Sequence, residues 1–142
     1  MKKYFYRKWL KPVFSAEQRR LDAQIGQNVN EWLKEKGFLR PLSTVEEVSA
    51  DIGVPADLLG IYLRFHYGKT LLTWRKDLRI EEAKRLLLAY PQLPIATVGE
   101  MVGIEDKSNF RRQFTDKVRM TPGEWRRRYG ARTGPTGPGT GS

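Results

Sequence analysis

The chain is 142 residues long, 39% apolar, and carries a formal net charge of +10. That length holds one domain or two small helical subdomains, and the charge points to a polyanionic partner, either nucleic acid or an anionic membrane face. The absence of cysteine excludes disulfides, a thiolate zinc site and a cysteine nucleophile, while no apolar run approaches the roughly 20 residues of a membrane span and no signal-peptide core follows the basic start.

Residues 1–14 interleave Lys2, Lys3, Arg7, Lys8 and Lys11 with Tyr4, Phe5, Tyr6, Trp9 and Phe14. Such a mixture suits a membrane–water interface just inside a bilayer, or a flexible arm on a DNA backbone. Ser15 and Gln18 have capping-box spacing and open a helix. Its buried face is predicted to be Leu21, Ile25, Val29, Trp32 and Leu33, with Gly37 as its C-cap. Either Ser43 with Glu46 or Thr44 with Glu47 forms the next capping box. Val45, Val48 and Ile52 then give a short helix ending at Gly53. Glu46 and Glu47 belong to its first turn, where the helix dipole favours negative charge.

Pro55 or Ala56 starts a helix reaching Tyr67, with Leu58, Leu59, Tyr62 and Leu63 on its core face and Gly68 at its end. Residues 70–90 read as one long spacer helix, with Leu71, Trp74, Leu78, Ala83, Leu86, Leu87 and Tyr90 along its stripe. Pro94 suits the first position of the following helix, whose core residues are Ile95, Val98 and Val102. Asp106 caps a helix over residues 106–118 in which Phe110 and Phe114 face inward. Lys107, Ser108, Arg111, Arg112 and Thr115 lie on its other faces. Thr121 caps a last helix with Pro122 at its first position. Trp125 packs inward beside Arg126, Arg127 and Arg128. From residue 130 onward the Gly, Pro and Thr composition cannot bury apolar surface and is expected to be disordered.

Two stretches repeat. Val45, Val48, Ile52, Gly53 and Val54 match Ile95, Val98, Val102, Gly103 and Ile104, fifty residues on. Past the turn the offset becomes fifty-one, pairing Leu59, Leu63, Thr70 and Trp74 with Phe110, Phe114, Thr121 and Trp125. The fold expected is therefore all-α: two helix-turn-helix subdomains joined by a long linker helix. Its divisions would be a basic aromatic segment (1–14), a first subdomain with the linker helix (15–90), a second subdomain (91–129) and a tail (130–142). In DNA-binding proteins the free face of the second helix of such a unit enters the major groove.

Residues 17–129 resemble the DNA-binding domain of the AraC/XylS family of bacterial transcription regulators. The resemblance rests most on Ile95, Val98, Gly103, Ile104, Phe110, Arg112, Phe114, Thr121, Pro122, Trp125 and Arg126, and on Leu78, Arg79, Ile80, Ala83, Leu86 and Leu87 in the linker. It implies a sequence-specific double-stranded DNA-binding regulator, with recognition helices in successive major grooves. Bases would be read by Lys107, Ser108, Arg111 and Arg112, arginine being suited to guanine because its planar fork donates two bonds. Asn109, whose family counterpart is often aromatic, ranks lower. Arg64, Lys69, Arg126, Arg127 and Arg128 are the expected phosphate contacts. Arg119 departs from the family, where glycine is usual. In the first unit the reading positions fall on Asp57, Gly60 and Ile61. Asp57 would repel phosphate, and the other two offer no side-chain hydrogen bond. That unit is expected to position the protein and read little sequence.

Activation is the commoner family outcome, which makes RNA polymerase a candidate partner. A sensor or dimerisation domain outside this chain is a second. The expected location is cytoplasmic, or membrane-tethered if the chain is the output piece of a longer sensor. The rival reading is a basic protein- or membrane-interaction module with non-specific polyanion binding. His66 is the only histidine, and no nucleophile–base pair or metal-ligand spacing accompanies it, so neither catalysis nor a cofactor is expected.

Overall fold

The structure, a computed structural model, describes residues 14–130. Apart from Phe14 and Gly130, the basic aromatic start and the tail lie outside the described residues. Every regular element among those residues is helical, as the repeat pattern requires. The chain divides into two compact units, Met1–Lys76 and Asp77–Ser142, and the division falls inside the long spacer helix.

The first unit opens with α1 (Ala16–Lys34), started by a complete Ser15–Gln18 capping box. Ile25, Val29 and Trp32 are its buried residues. Leu21, expected beside them, is 45% exposed. On the helical wheel Leu21 points within about 20° of buried Trp32, so its position near the start of the helix, and not its direction, leaves it uncovered. Gly37 is not the C-cap either. The helix closes at Glu35, and Lys36 takes the left-handed conformation at φ 55°. Gly37 instead opens a short 3-10 turn, Gly37–Leu39. It lies so close to the Trp32 indole that a side chain there would collide with the ring.

Trp32 is the hub of this unit. Its ring stacks on Trp74 at 5.7 Å, and its indole N–H donates to Asp51 at 2.7 Å. Arg40 donates to the same Asp51 oxygen at 2.7 Å and to Glu35 at 2.9 Å. Burial would push the Asp51 carboxyl upward, but the bonds from Trp32 and Arg40 outweigh it and hold the group below its ordinary range.

Helix α2 (Val45–Ile52) begins with the Thr44–Glu47 capping box, the second of the two sequence alternatives. Glu47 also accepts from the Ser43 N–H at 2.8 Å. Gly53 (φ 87°) turns the chain, and Asn28 of α1 donates to the carbonyls of Ile52 and Gly53 at 3.2 Å. After Pro55 comes α3 (Ala56–Tyr67), anchored by buried Leu59 and Leu63 and ended by left-handed Gly68. Its His66 pairs with Asp22 of α1 at 2.9 Å. Then α4 (Leu71–Ala89) begins, burying Leu71 and Trp74 in this unit.

In the second unit, the remainder of α4 buries Ile80, Ala83, Leu86 and Leu87. Tyr90, expected on this stripe, is 49% exposed, because the helix stops at Ala89 ahead of Pro91 and the helical period stops with it. Pro94 is the N-cap of α5 (Ile95–Met101) and not its first residue. Gly99 lets α6 (Lys107–Val118) cross closely, since a Cβ there would lie 2.9 Å from the Phe110 ring. Gly103 has φ 85°. Behind it sits buried Arg79, whose guanidinium donates to the Gly103 carbonyl at 3.4 Å. Arg79 clasps this turn as Asn28 clasps the first, although it lies one residue out of the fifty-residue register that relates the two turns. The unit ends with α7 (Pro122–Trp125), capped by the Thr121–Glu124 box, which widens into a π-type turn, Arg126–Gly130.

Candidate nucleic-acid interface

Helix α6 is fixed from one side. Phe110 and Phe114 are at most 1% exposed and meet edge to face at 5.9 Å. Removing a buried phenylalanine costs about 3–5 kcal/mol, far more than any surface group contributes, so this face sets the helix and leaves the other free for function. Its start is fixed by Asp106, whose carboxylate accepts from the Asn109 N–H at 2.7 Å. With about 100° per residue, Ser108 and Arg112 point opposite the phenylalanines, and Arg111 and Thr115 flank them. Lys107, Ser108, Arg111 and Arg112 are all exposed. All four residues expected to read bases are thus exposed on one well-anchored helix, Ser108 and Arg112 opposite the phenylalanines and Lys107 at the helix start on the phenylalanine side.

Asn109, which ranks low by sequence, touches Arg112 of this group. Its Oδ1 accepts from Arg112 Nη2 at 2.5 Å and from Gln113 Nε2 at 3.1 Å. The i,i+3 spacing to Arg112 is the signal that could have found it.

The three consecutive arginines of the last helix divide. Arg126 is turned inward, donating to the carbonyls of Leu87 at 2.9 Å, Leu93 at 2.7 Å and Tyr90 at 3.1 Å. Burial lowers its pKa. Its fork bridges the end of α4 and the turn that follows, so this arginine, expected as a phosphate contact, is committed to internal hydrogen bonds. Arg127 and Arg128 are exposed. The Glu124 carboxyl is held low, first by the Thr121 N–H and hydroxyl and then by the charges of Arg127 and Arg111, which places these two arginines around a common neighbour. Arg119, at the usual glycine position, closes α6 in the left-handed region at φ 69°. The turn keeps the geometry that glycine would give it.

The corresponding helix of the first unit, α3, shows the same frame with different chemistry. Leu59 and Leu63 are fully buried where Phe110 and Phe114 stand. Opposite them, Ile61 is 68% exposed at the position matching Arg112. Asp57 matches Ser108, and its carboxylate accepts from the Leu58 N–H at 2.9 Å. Gly60 matches Arg111 and has open space around it. Arg64 is exposed and Lys69 half-buried just past the helix end. Among the described residues there is no cluster suited to a metal ion, and no helix long and apolar enough to cross a membrane.

Residues 48–128, more than half of the chain, match the family described as a helix-turn-helix domain. The arabinose operon regulatory proteins of Salmonella typhimurium and Escherichia coli are each 37% identical over 82 residues. That stretch is 58% of this chain but only 29% and 28% of those relatives, so the chain spans a minor part of their length. Among solved structures, the C-terminal domain of AraT, a response regulator from Geobacillus stearothermophilus, is 25% identical, with TM-score 0.59 over 80% of this chain and 86% of that one. The DNA-binding domain of AdpA, solved with a target DNA, shares the fold at TM-score 0.65 and 21% identity, over 80% of this chain and 97% of that one. With two glycine-turned helix-turn-helix units and a match over most of both, the chain belongs to the AraC-type helix-turn-helix family, the DNA-binding domains of transcription regulators.

Proposed function

We propose that this chain binds double-stranded DNA sequence-specifically as the output module of a transcription regulator, reading the major groove mainly with α6. The observation that carries this reading is the exposure of Lys107, Ser108, Arg111 and Arg112 on a helix that Phe110 and Phe114 hold in place, with Ser108 and Arg112 opposite those rings. A helix so placed fits the width of the major groove, and arginine can donate two bonds to guanine O6 and N7. Arg127, Arg128, Arg64 and Lys69 hold the phosphate backbone, contacts that fix register without reading sequence. The α3 face supplies a weaker reader, because Ile61 and Gly60 offer no hydrogen bond.

The regulated outcome we favour is activation, with RNA polymerase as the protein partner in the cytoplasm. The arabinose regulators extend far beyond the matched stretch, which supports a sensor or dimerisation domain working with this module. A membrane tether would serve the same arrangement if that sensor is membrane-bound.

The test is selection of binders from a random duplex library at about 150 mM salt, where non-specific attraction is screened. The enriched duplex should bind at least about a thousandfold more tightly than a scrambled one. Equal binding to both, fading together with salt, would leave only a polyanion binder.

A further inference from the structure

Arg112 is distinguished from the other exposed cations of α6 by an anchor on its own helix: its guanidinium donates to Asn109 Oδ1 at 2.5 Å. Gln113 donates to the same oxygen at 3.1 Å. Because both donors converge on one atom, the Asn109 amide is turned with its oxygen towards Arg112 and its NH2 away from it. The Asn109 backbone is itself fixed by the Asp106 cap at 2.7 Å. We infer that Asn109 is a positioning residue for base reading, which aims the Arg112 guanidinium into the groove before DNA arrives.

This inference rests on the DNA-reading function proposed above. An arginine carries five N–H donors in a planar fork, and one bond to Asn109 leaves more than the pair that guanine needs. A free arginine must surrender its rotamers on binding, whereas an anchored one has surrendered part of them already. The gain appears as discrimination between bases, because the fork meets only a base pair whose acceptors lie where it already points. Asn109 is half-buried and its acceptor is occupied, which favours an indirect role over direct contact with a base.

The experiment is a double-mutant cycle on the selected duplex and its three single-base-pair variants at the position read by Arg112. Wild type, Asn109→Ala, Asn109→Asp, Arg112→Ala and the Asn109→Ala/Arg112→Ala pair are compared. Asn109→Ala should reduce the preference for the cognate base pair about fivefold to tenfold, leaving affinity for scrambled DNA unchanged. Asn109→Asp keeps the acceptor and should retain the preference. In the Arg112→Ala background, Asn109→Ala should change nothing further. Equal losses on specific and scrambled DNA would mean that Asn109 only supports the helix, and would overturn the inference. An additive effect in the double variant would make Asn109 a reader in its own right, which also overturns it. A preference lost with Arg112→Ala but intact with Asn109→Ala refutes the positioning role while the function stands. No preference in wild type refutes both.

Discussion

Arg126 shows how a residue's meaning depends on contacts far along the chain. Three arginines in a row read as surface charge, and nothing local separates the first from the other two. What separates it is the set of carbonyls at and beyond the end of α4 to which it donates, at Leu87, Tyr90 and Leu93. Arg126→Ala should cost about 2 kcal/mol, seen as a lower melting temperature. Arg126→Lys should not restore it, because an ammonium lacks the fork. The opposite change is expected at Arg119. A non-glycine residue at φ 69° is strained, and Arg119→Gly should stabilise by about 0.5–1 kcal/mol once the greater freedom of unfolded glycine is counted. A denaturation midpoint that falls instead would show that Arg119 makes a contact worth more than its strain. At Ile61 the prediction is chemical: an exposed aliphatic side chain at a reading position suits a thymine methyl. Replacing thymine by uracil in the first unit's half-site should weaken wild type and leave Ile61→Ala unaffected. Equal weakening of both would exclude that contact.

At the scale of elements, the caps and turns were legible and the closest packing was not. Ser15, Asp106 and Thr121 cap as expected, and Thr44, one of two candidates the spacing left open, caps α2, because capping is local chemistry. Gly53, Gly68 and Gly103 all take positive φ for the same reason. Gly37 departs from the expected C-cap because its role is to admit the Trp32 ring, a tertiary requirement that no local pattern carries. Leu21 and Tyr90 looked like core because periodicity alone cannot say where a partner surface ends. In the candidate site, the exposed face of α6 is legible from the Phe110–Phe114 spacing, whereas the anchoring of Arg112 by Asn109 depends on side-chain geometry. The caps also predict a pH dependence. Glu47 accepts from the N–H groups of Ser43 and Thr44, and Glu124 from that of Thr121, which lowers their folded pKa values. The stability they contribute is present above the unfolded glutamate pKa, about 4.3, and is lost as pH falls through the lowered folded values. Glu47→Gln with Glu124→Gln should flatten part of the acid decline in melting temperature. An unchanged decline would assign it to other carboxylates, Asp51 first.

For the whole molecule the governing quantity is a charge of +10, which draws the protein to any nucleic acid and cannot by itself choose among sequences. Phosphate ligands and base readers must therefore behave differently. Arg128→Ala should weaken specific and scrambled duplexes alike and reduce the salt slope by about one. Arg112→Ala should act on specific DNA alone. The most direct test of the central claim is a parallel selection from random duplexes at about 150 mM salt with wild type and Arg112→Ala. If α6 is the reader, wild type enriches a motif, and the variant relaxes it at one or two adjacent positions while the rest of the motif persists. A motif unchanged by the substitution, or none in wild type, would contradict the account.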